Sequence, residues 1–303
     1  MKKVFSVDKD FINARLDRWI KKKIFVLPQS IIEKSLRKGL IKINGKKEKS
    51  SYKLKLQDQV TLHNFKFNPN INKKKIFLYK PSKKEISSTS SIFIENNENF
   101  VVINKPPGVS VQSGTKSKKN IIDILRDTKE FNELSPFTVH RIDKETSGIL
   151  IVAKNRKYAQ FFTSLFRLRK IQKTYLCISL GVPDKNNGTY TDMLQHYEGE
   201  KKITSKGITH FKVLDTNNNY TLFKLNPQTG RKHQLRKQLL IHGHPILGDT
   251  KYRFIDKKNI RKGNLMLHAY KISFFINNIK YNFTANPPEY FITALKEKYL
   301  KIF

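Results

Sequence analysis

Residues 147–154, "SGILIVAK", run from Gly148 to Ala153 without a polar side chain. A strand-forming run with no polar alternation reads as a fully buried strand. Directly ahead of it stands "HRIDKET", which carries His140, Arg141, Asp143, Lys144 and Glu145. Surface turns are often charged, and a lone loop aspartate usually caps a turn. Here a single carboxylate, Asp143, sits between Arg141 and Lys144 at the mouth of a buried strand. Two similar runs follow the same logic. "FVVINK", residues 100–105, is stopped by a Pro-Pro-Gly turn, and "KTYLCISLG" covers residues 173–181.

Around these runs the pattern is mixed. "NIIDILRD" predicts a short helix capped by Asn120. "NRKYAQFFTSLFRLRK" predicts a longer helix with Phe161, Phe162, Leu165 and Phe166 on a core-facing side. "TLFKLNPQTGRKHQLRKQLLIHG" reads as strand, turn and helix, and "LMLHAYKISFFINNIKYNFTA" as a hairpin turning at Asn277-Asn278. "PEYFITALKEKYL" closes the sequence as a helix. The expected class for residues 91–303 is α+β, with a large, mixed, mostly antiparallel sheet. Residues 63–90 lack periodicity and are rich in Lys, Asn, Ser and Pro, so they read as a linker in which Phe65, Phe67, Ile76, Phe77 and Leu78 could dock. Residues 1–62 read as a separate small unit. "ARLDRWIKKK" places Leu16, Trp19 and Ile20 at helical spacing. "PQSIIEKSLRKGLIKING" offers a Ser30–Glu33 capping box, a stop at Gly39, and an Asn44-Gly45 hairpin turn. "YKLKLQDQVTL" alternates as a half-buried strand should.

Sixty Lys and Arg against 24 Asp and Glu give a formal charge of +36. Compositional bias accounts for some of the Lys. It does not account for the deficit of acids, so a polyanion, above all nucleic acid, is the expected partner. One cysteine, Cys177, excludes an internal disulfide and a Cys-rich zinc site. His242 and His244 lie close together in "HGHP", but without cysteines or an acidic cluster they read as a turn, and no metal is expected. There is no P-loop or dinucleotide motif. The N-terminus is not a signal peptide, and no apolar run approaches the ~20 residues that cross a bilayer. The expectation is a soluble, cytoplasmic monomer.

Two resemblances carry more. "RLDRWI", "SIIEKSLRKGLIKINGKKEKSSYKLKLQDQV" and the terminal "DQV" resemble the S-four-type RNA-binding domain, named for a small-subunit ribosomal protein. "NKPPGVSVQSG", "HRIDKETSGILIVAKN", "KTYLCISLG" and "TGRKHQLRKQLLIHGHPILGDTKY", in that order, resemble the ribosomal large-subunit pseudouridine synthase family. The branch is the C/D type, which couples the two domains, and the short N-terminal segment points to the C type. The first resemblance implies RNA contacts from Arg15, Arg18, Lys34, Arg37, Lys38 and Lys42. The second implies isomerisation of uridine in ribosomal RNA. That reaction breaks the N1–C1′ bond, turns the base and rejoins it through C5. It oxidises nothing and imports nothing, so no cofactor is expected.

By this resemblance Asp143 is the carboxylate that attacks C1′ or removes the 2′ proton. Arg236 keeps it ionised. Tyr175 packs against the base and is suited to late proton removal at C5. Arg141 either fills the gap left by the flipped uridine or contacts a phosphate. His140, expected to order the loop, joins Lys105 and Arg231 among the substrate contacts, with Lys105 shaping the pocket wall or touching phosphate. The sequence departs from the family pattern at Arg236-Lys237-Gln238, where "RVH" is common, and in the unusually basic "VQSGTKSKKN". Two other readings stay open: an RNA-binding ribosome-assembly factor without chemistry, and a synthase acting on transfer RNA.

Overall fold

A computed structural model describes residues 2–24, 27–63, 79–113, 119–132, 134–198, 201–254 and 263–302. The chain divides into two compact units, Met1–Ile76 and Phe77–Phe303. In the first unit, strand β1 (Lys2–Ser6) precedes helices α1 (Leu16–Lys23) and α2 (Gln29–Arg37) and strands β2 (Ile41–Ile43) and β3 (Gln59–His63). The sheet order is β1-β3-β2, antiparallel throughout. Leu16, Trp19 and Ile20 recur one helical turn apart, so one face of α1 packs with Ile32 and Leu36 of α2 against Ile41, Ile43, Val60 and Leu62. Asn44 and Gly45 adopt φ of 48° and 78°, as a type I′ turn requires.

Two local expectations need correction here. Helix α2 begins at Gln29 behind Pro28, so Ser30 lies inside the helix and caps nothing; Glu33 instead accepts from Gln29 at 3.1 Å. The alternating stretch 52–62 is extended only from Gln59. Before it the chain turns, with Gln57 at φ 63° and buried Asp58 accepting from the Lys55 backbone and from Asn44, both at 2.8 Å.

The second unit opens with helix α3 (Lys83–Thr89), followed by β4 (Phe93–Asn96), β5 (Phe100–Lys105), α4 (Ile121–Arg126), β6 (Phe137–Thr138), β7 (Ser147–Ala153) and α5 (Arg156–Arg167). Then come β8 (Gln172–Leu180), β9 (Asn187–Glu198), β10 (Lys201–Thr216), β11 (Tyr220–Pro227), α6 (Gln234–Ile241), β12 (Leu267–Ile276), β13 (Ile279–Thr284) and α7 (Glu289–Glu297). Residues 79–90, expected to be linker, belong to this unit. Ser82 and Glu85 form a capping box on α3, Tyr79 donates to Glu85 at 2.6 Å, and Lys119 pairs with the same carboxylate. Phe65, Phe67, Ile76, Phe77 and Leu78 lie outside the described residues.

Ten described strands form one sheet in the order β4-β5-β7-β12-β8-β11-β10-β9, with β13 on β12 and β6 on β7. Only β7 and β12 run parallel among the described pairs. All seven residues of β7 are buried. Because side chains alternate across a strand, Ile149 and Ile151 pack with Phe162 and Leu165 of α5, whereas Leu150 and Val152 pack with Ile121, Ile124 and Leu125 of α4. Helices therefore cover β7 on both faces. At the parallel junction Gly148 adopts φ 108°, and a Cβ there would lie 2.3 Å from the Ala269 carbonyl oxygen. The long β9–β10 hairpin was not expected from the sequence. Its Lys- and Thr-rich strands pair from Lys201↔Glu198 to Lys212↔Asn187.

Candidate active site

The loop of residues 140–146 is fixed from three sides before it presents any side chain. The His140 ring stacks on Phe166 of α5, with centroids 4.4 Å apart, and its Nε2 accepts from the Ile151 backbone at 2.9 Å. Burial, with Lys173 adding repulsion, pushes the His140 pKa down to about 3, so the ring is a neutral acceptor. The Gly108 N–H donates to the Lys144 carbonyl at 2.9 Å, and Thr146 N–H to the Asp143 carbonyl at 3.1 Å.

Lys105 is the third anchor, and here the expectation changes. Its side chain is 0% exposed and is not among the residues that line the cleft around Asp143. Its ammonium donates to the carbonyls of Pro106, Val109 and Lys144 at 2.7, 3.0 and 3.2 Å. Three acceptors satisfy its three hydrogens, although burial pushes its pKa down to about 7. Lys105 stitches the Pro-Pro-Gly turn to the loop that bears Asp143.

Asp143 is half-buried, and its Oδ2 accepts from Arg236 Nη1 at 3.3 Å. Arg236 projects from α6 and is held harder elsewhere. Its Nε and Nη2 donate to Asp249 at 2.7 and 2.8 Å, and its guanidinium lies over the Tyr252 ring at 5.1 Å. The Asp249 side chain is 0% exposed and also accepts from the backbone of Lys251 and Tyr252 at 2.8 and 2.9 Å. Burial alone would raise the Asp249 pKa, but Arg236 and these N–H groups hold it below the usual carboxylate range. Arg236 is thus a planar fork fixed by one carboxylate, with a corner turned to a second.

His233 Nε2 lies 3.8 Å from Asp143 Oδ1, and its Nδ1 shares a hydrogen with Tyr252 Oη at 2.8 Å. Burial holds its pKa below the ordinary imidazole value despite Asp143. Tyr175, on β8, wedges between two apolar cores and lines the same cleft. Burial, then the Asp143 charge, pushes its phenol up, so it stays protonated.

The cleft has a volume of about 1010 Å³ and brings Asp143, Tyr175 and Arg236 together with His140, Arg141 and Arg231. Arg141 is exposed on its wall, and Arg231 donates to the Lys206 carbonyl at 3.1 Å. Asp143 is the one carboxylate among the described residues that line it, against eight Lys and Arg. Gln238, in the departure from the family pattern, is 1% exposed and ties α6 to the hairpin through Thr209 at 2.6 Å and Asp192 at 2.8 Å. Lys237 donates to the Gln195 carbonyl. The changed residues therefore set how the helix meets β9 and β10. Part of the basic "VQSGTKSKKN", residues 114–118, lies outside the described residues.

In the first unit, Arg18, Lys34, Arg37 and Lys38 are exposed and Lys42 is half-buried. Arg15 is half-buried, and its guanidinium donates to Asp17 at 2.7 and 3.1 Å.

The sequence reading missed His233, Asp249 and Tyr252 as members of the site. His233 carried one signal, since it stands between Lys232 and Gln234 in a Gly-led turn and takes φ 53°. Asp249 and Tyr252 lie in a loop with no periodicity to mark them.

A cleft lined by cations around one arginine-held carboxylate, on a mixed sheet in a chain that also carries a small basic unit, fits an enzyme that acts on a polyanion. Residues 99–240 match the RNA pseudouridylate synthase family and residues 14–60 the S4 domain. The ribosomal large subunit pseudouridine synthase C of Buchnera aphidicola (subspecies Baizongia pistaciae) is 34% identical over 297 residues, 93% of each chain. Its namesake from Rickettsia conorii is 34% identical over 252 residues, 80% of this chain and 82% of that one. The solved structure of human RNA pseudouridylate synthase domain containing 4 superposes with a TM-score of 0.63 at 25% identity, covering 71% of this chain and 96% of that one. The chain belongs to the ribosomal large subunit pseudouridine synthase family, and is an isomerase acting on RNA.

Proposed function

We propose that this chain converts specific uridines of large-subunit ribosomal RNA to pseudouridine, with Asp143 as the reactive carboxylate. The observation that carries the reading is the Arg236 fork, pinned by buried Asp249 and turned onto Asp143, the one described carboxylate in a cleft whose lining includes eight Lys and Arg. Uridine extruded from a stack enters the cleft, where the Tyr175 ring packs on the base and Arg141 fills the vacated gap or holds a phosphate. Asp143 attacks C1′ or removes the 2′ proton, the N1–C1′ bond breaks, the base turns, and C5 bonds to C1′ as the Asp143–C1′ bond breaks or the 2′ proton returns. The proton on C5 leaves last. Burial keeps the Tyr175 phenol protonated, so it meets the base as a ring and takes the C5 proton only as it passes its own hydroxyl proton on, with N1 of the product ending protonated.

Every atom of the product is present in the substrate, so the chemistry requires no cofactor. The small basic unit, residues 1–62, adds phosphate contacts from Arg18, Lys34, Arg37, Lys38 and Lys42. The working protein is a cytoplasmic monomer. No described helix is long and apolar enough to cross a membrane. An assembly factor without chemistry would have no use for a pinned Arg236, and a transfer RNA substrate is less favoured because the curated relatives are named for the large ribosomal subunit. Large-subunit ribosomal RNA transcribed with tritium at uridine C5 tests the reading. The enzyme should release tritium to water at a few specific sites, and no release from that RNA would refute it.

A further inference from the structure

Eight Lys and Arg among the described residues line the cleft, and the proposed chemistry uses only some of them. Two that it leaves over, Arg169 and Lys173, act on each other electrostatically and both line the cleft wall. Lys173 lies on β8 two residues before Tyr175, so both side chains leave the same face of the sheet. They start about 7 Å apart along the strand, a length on the scale of one nucleotide. The Lys173 side chain is half-buried beside the cation Arg169 and the neutral ring of His140, and its pKa is lowered by burial and then by Arg169. A lysine that merely lays its stem on apolar surface turns its head to solvent. Lys173 instead stands in a cleft whose one described carboxylate is already held by Arg236.

Arg169 points the same way through its backbone. It follows the Leu168 C-cap of α5, with Arg169 N–H donating to Phe166 and Lys170 N–H to Leu165, and it adopts φ 57°. That post-helix position favours glycine. An exposed arginine is kept there against the backbone preference, next to a lysine of like charge.

We propose that Arg169 and Lys173 form a phosphate subsite that grips the RNA backbone beside the base pocket of Tyr175. No described carboxylate pairs with either side chain, and a bridging phosphate supplies negative charge through charge-assisted hydrogen bonds. The inference rests on the proposed RNA isomerase activity and adds where the strand is held.

The test uses full-length protein and a synthetic stem-loop of large-subunit ribosomal RNA around the mapped target uridine. Neutral methylphosphonates are placed singly at each linkage flanking that uridine. Wild type should lose roughly 10- to 100-fold in kcat/KM at one linkage, mostly through KM. Arg169→Gly, which suits the backbone, and Lys173→Gln should each lower kcat/KM on unmodified RNA and be indifferent to the neutral linkage. Lys224→Gln, on exposed β11 surface outside the cleft, should behave as wild type. Variants as sensitive to that linkage as wild type, or a wild type indifferent to every linkage, would overturn the subsite. Wild type inactive on unmodified RNA would overturn the isomerase reading itself, and this inference with it.

Discussion

Asp249→Asn asks whether Arg236 is aimed by its buried partner. The wild-type carboxylate accepts two guanidinium hydrogen bonds at 2.7 and 2.8 Å and two backbone bonds at 2.8 and 2.9 Å, with no side-chain exposure. Removing one partner of a buried ion pair costs ~3–5 kcal/mol because the other charge is left uncompensated. Asparagine keeps the shape and an acceptor for the backbone, and Asp143 still faces Arg236, so a loss of about 3 kcal/mol is expected. For a unit of this size that corresponds to a fall in Tm of about 6–12 °C. With its fork released, Arg236 should hold Asp143 poorly, and kcat should fall roughly 10- to 100-fold while RNA affinity changes little.

Acid supplies a further check on the sign. Asp249 titrates below the usual range in the folded protein. Its stabilising effect is therefore present above the unfolded value of about 3.9 and is lost as pH falls through the lower folded value. The stability gap between wild type and Asp249→Asn should close on acidification below about pH 4. Thermal melts against pH and tritium release from RNA measure both arms. An Asp249→Asn protein that melts early but keeps its kcat would refute the aiming role, because the pair would then be structural only.

Three other outcomes follow from separate parts of the molecule. Gly148→Ala, whose Cβ would sit 2.3 Å from the Ala269 oxygen at φ 108°, should cost at least about 3 kcal/mol, read from the urea midpoint; a wild-type midpoint would mean the β7–β12 junction yields easily. Lys105→Met should leave RNA affinity and its salt dependence within about twofold while kcat falls about tenfold or more, since the buried ammonium is spent on three carbonyls of the loop and turn. Replacing Arg18, Lys34, Arg37 and Lys38 together by Gln should flatten the slope of log affinity against log salt by about 0.7–0.9 for each phosphate no longer neutralised, without changing Tm. An unchanged slope would remove the first unit from the RNA interface.

Much of the fold was legible because burial leaves a pattern. The runs at 100–105, 147–153 and 173–180 are strands β5, β7 and β8, and Asn120, Gly45 and Asn277-Asn278 act as the cap and turns that their side chains favour. The β9–β10 hairpin was not legible, since most of its Lys and Thr face solvent and its buried Tyr190, Leu194 and Phe211 are too sparse to mark a strand. Helix α3 was hidden by the Lys- and Ser-rich composition that suggested a linker, although the Ser82–Glu85 capping box was there to be read. At the site, Asp143, Tyr175 and Arg236 were found through motif resemblance and converge on one cleft. What fixes their geometry was not readable. The Asp249 carboxylate meets Arg236 only because the loop after α6 folds back, and Lys105, expected at the pocket wall or on a phosphate, has its ammonium buried beneath the loop.

The central claim is that Asp143 performs the chemistry in an otherwise intact RNA-binding cleft. Pseudouridines mapped across large-subunit ribosomal RNA, from cells lacking the gene and complemented with wild type or Asp143→Ala, test it most directly. Specific modifications should vanish in the deletion, return with wild type, and stay absent with an Asp143→Ala protein that still binds the RNA. Restoration of those pseudouridines by Asp143→Ala would contradict the claim.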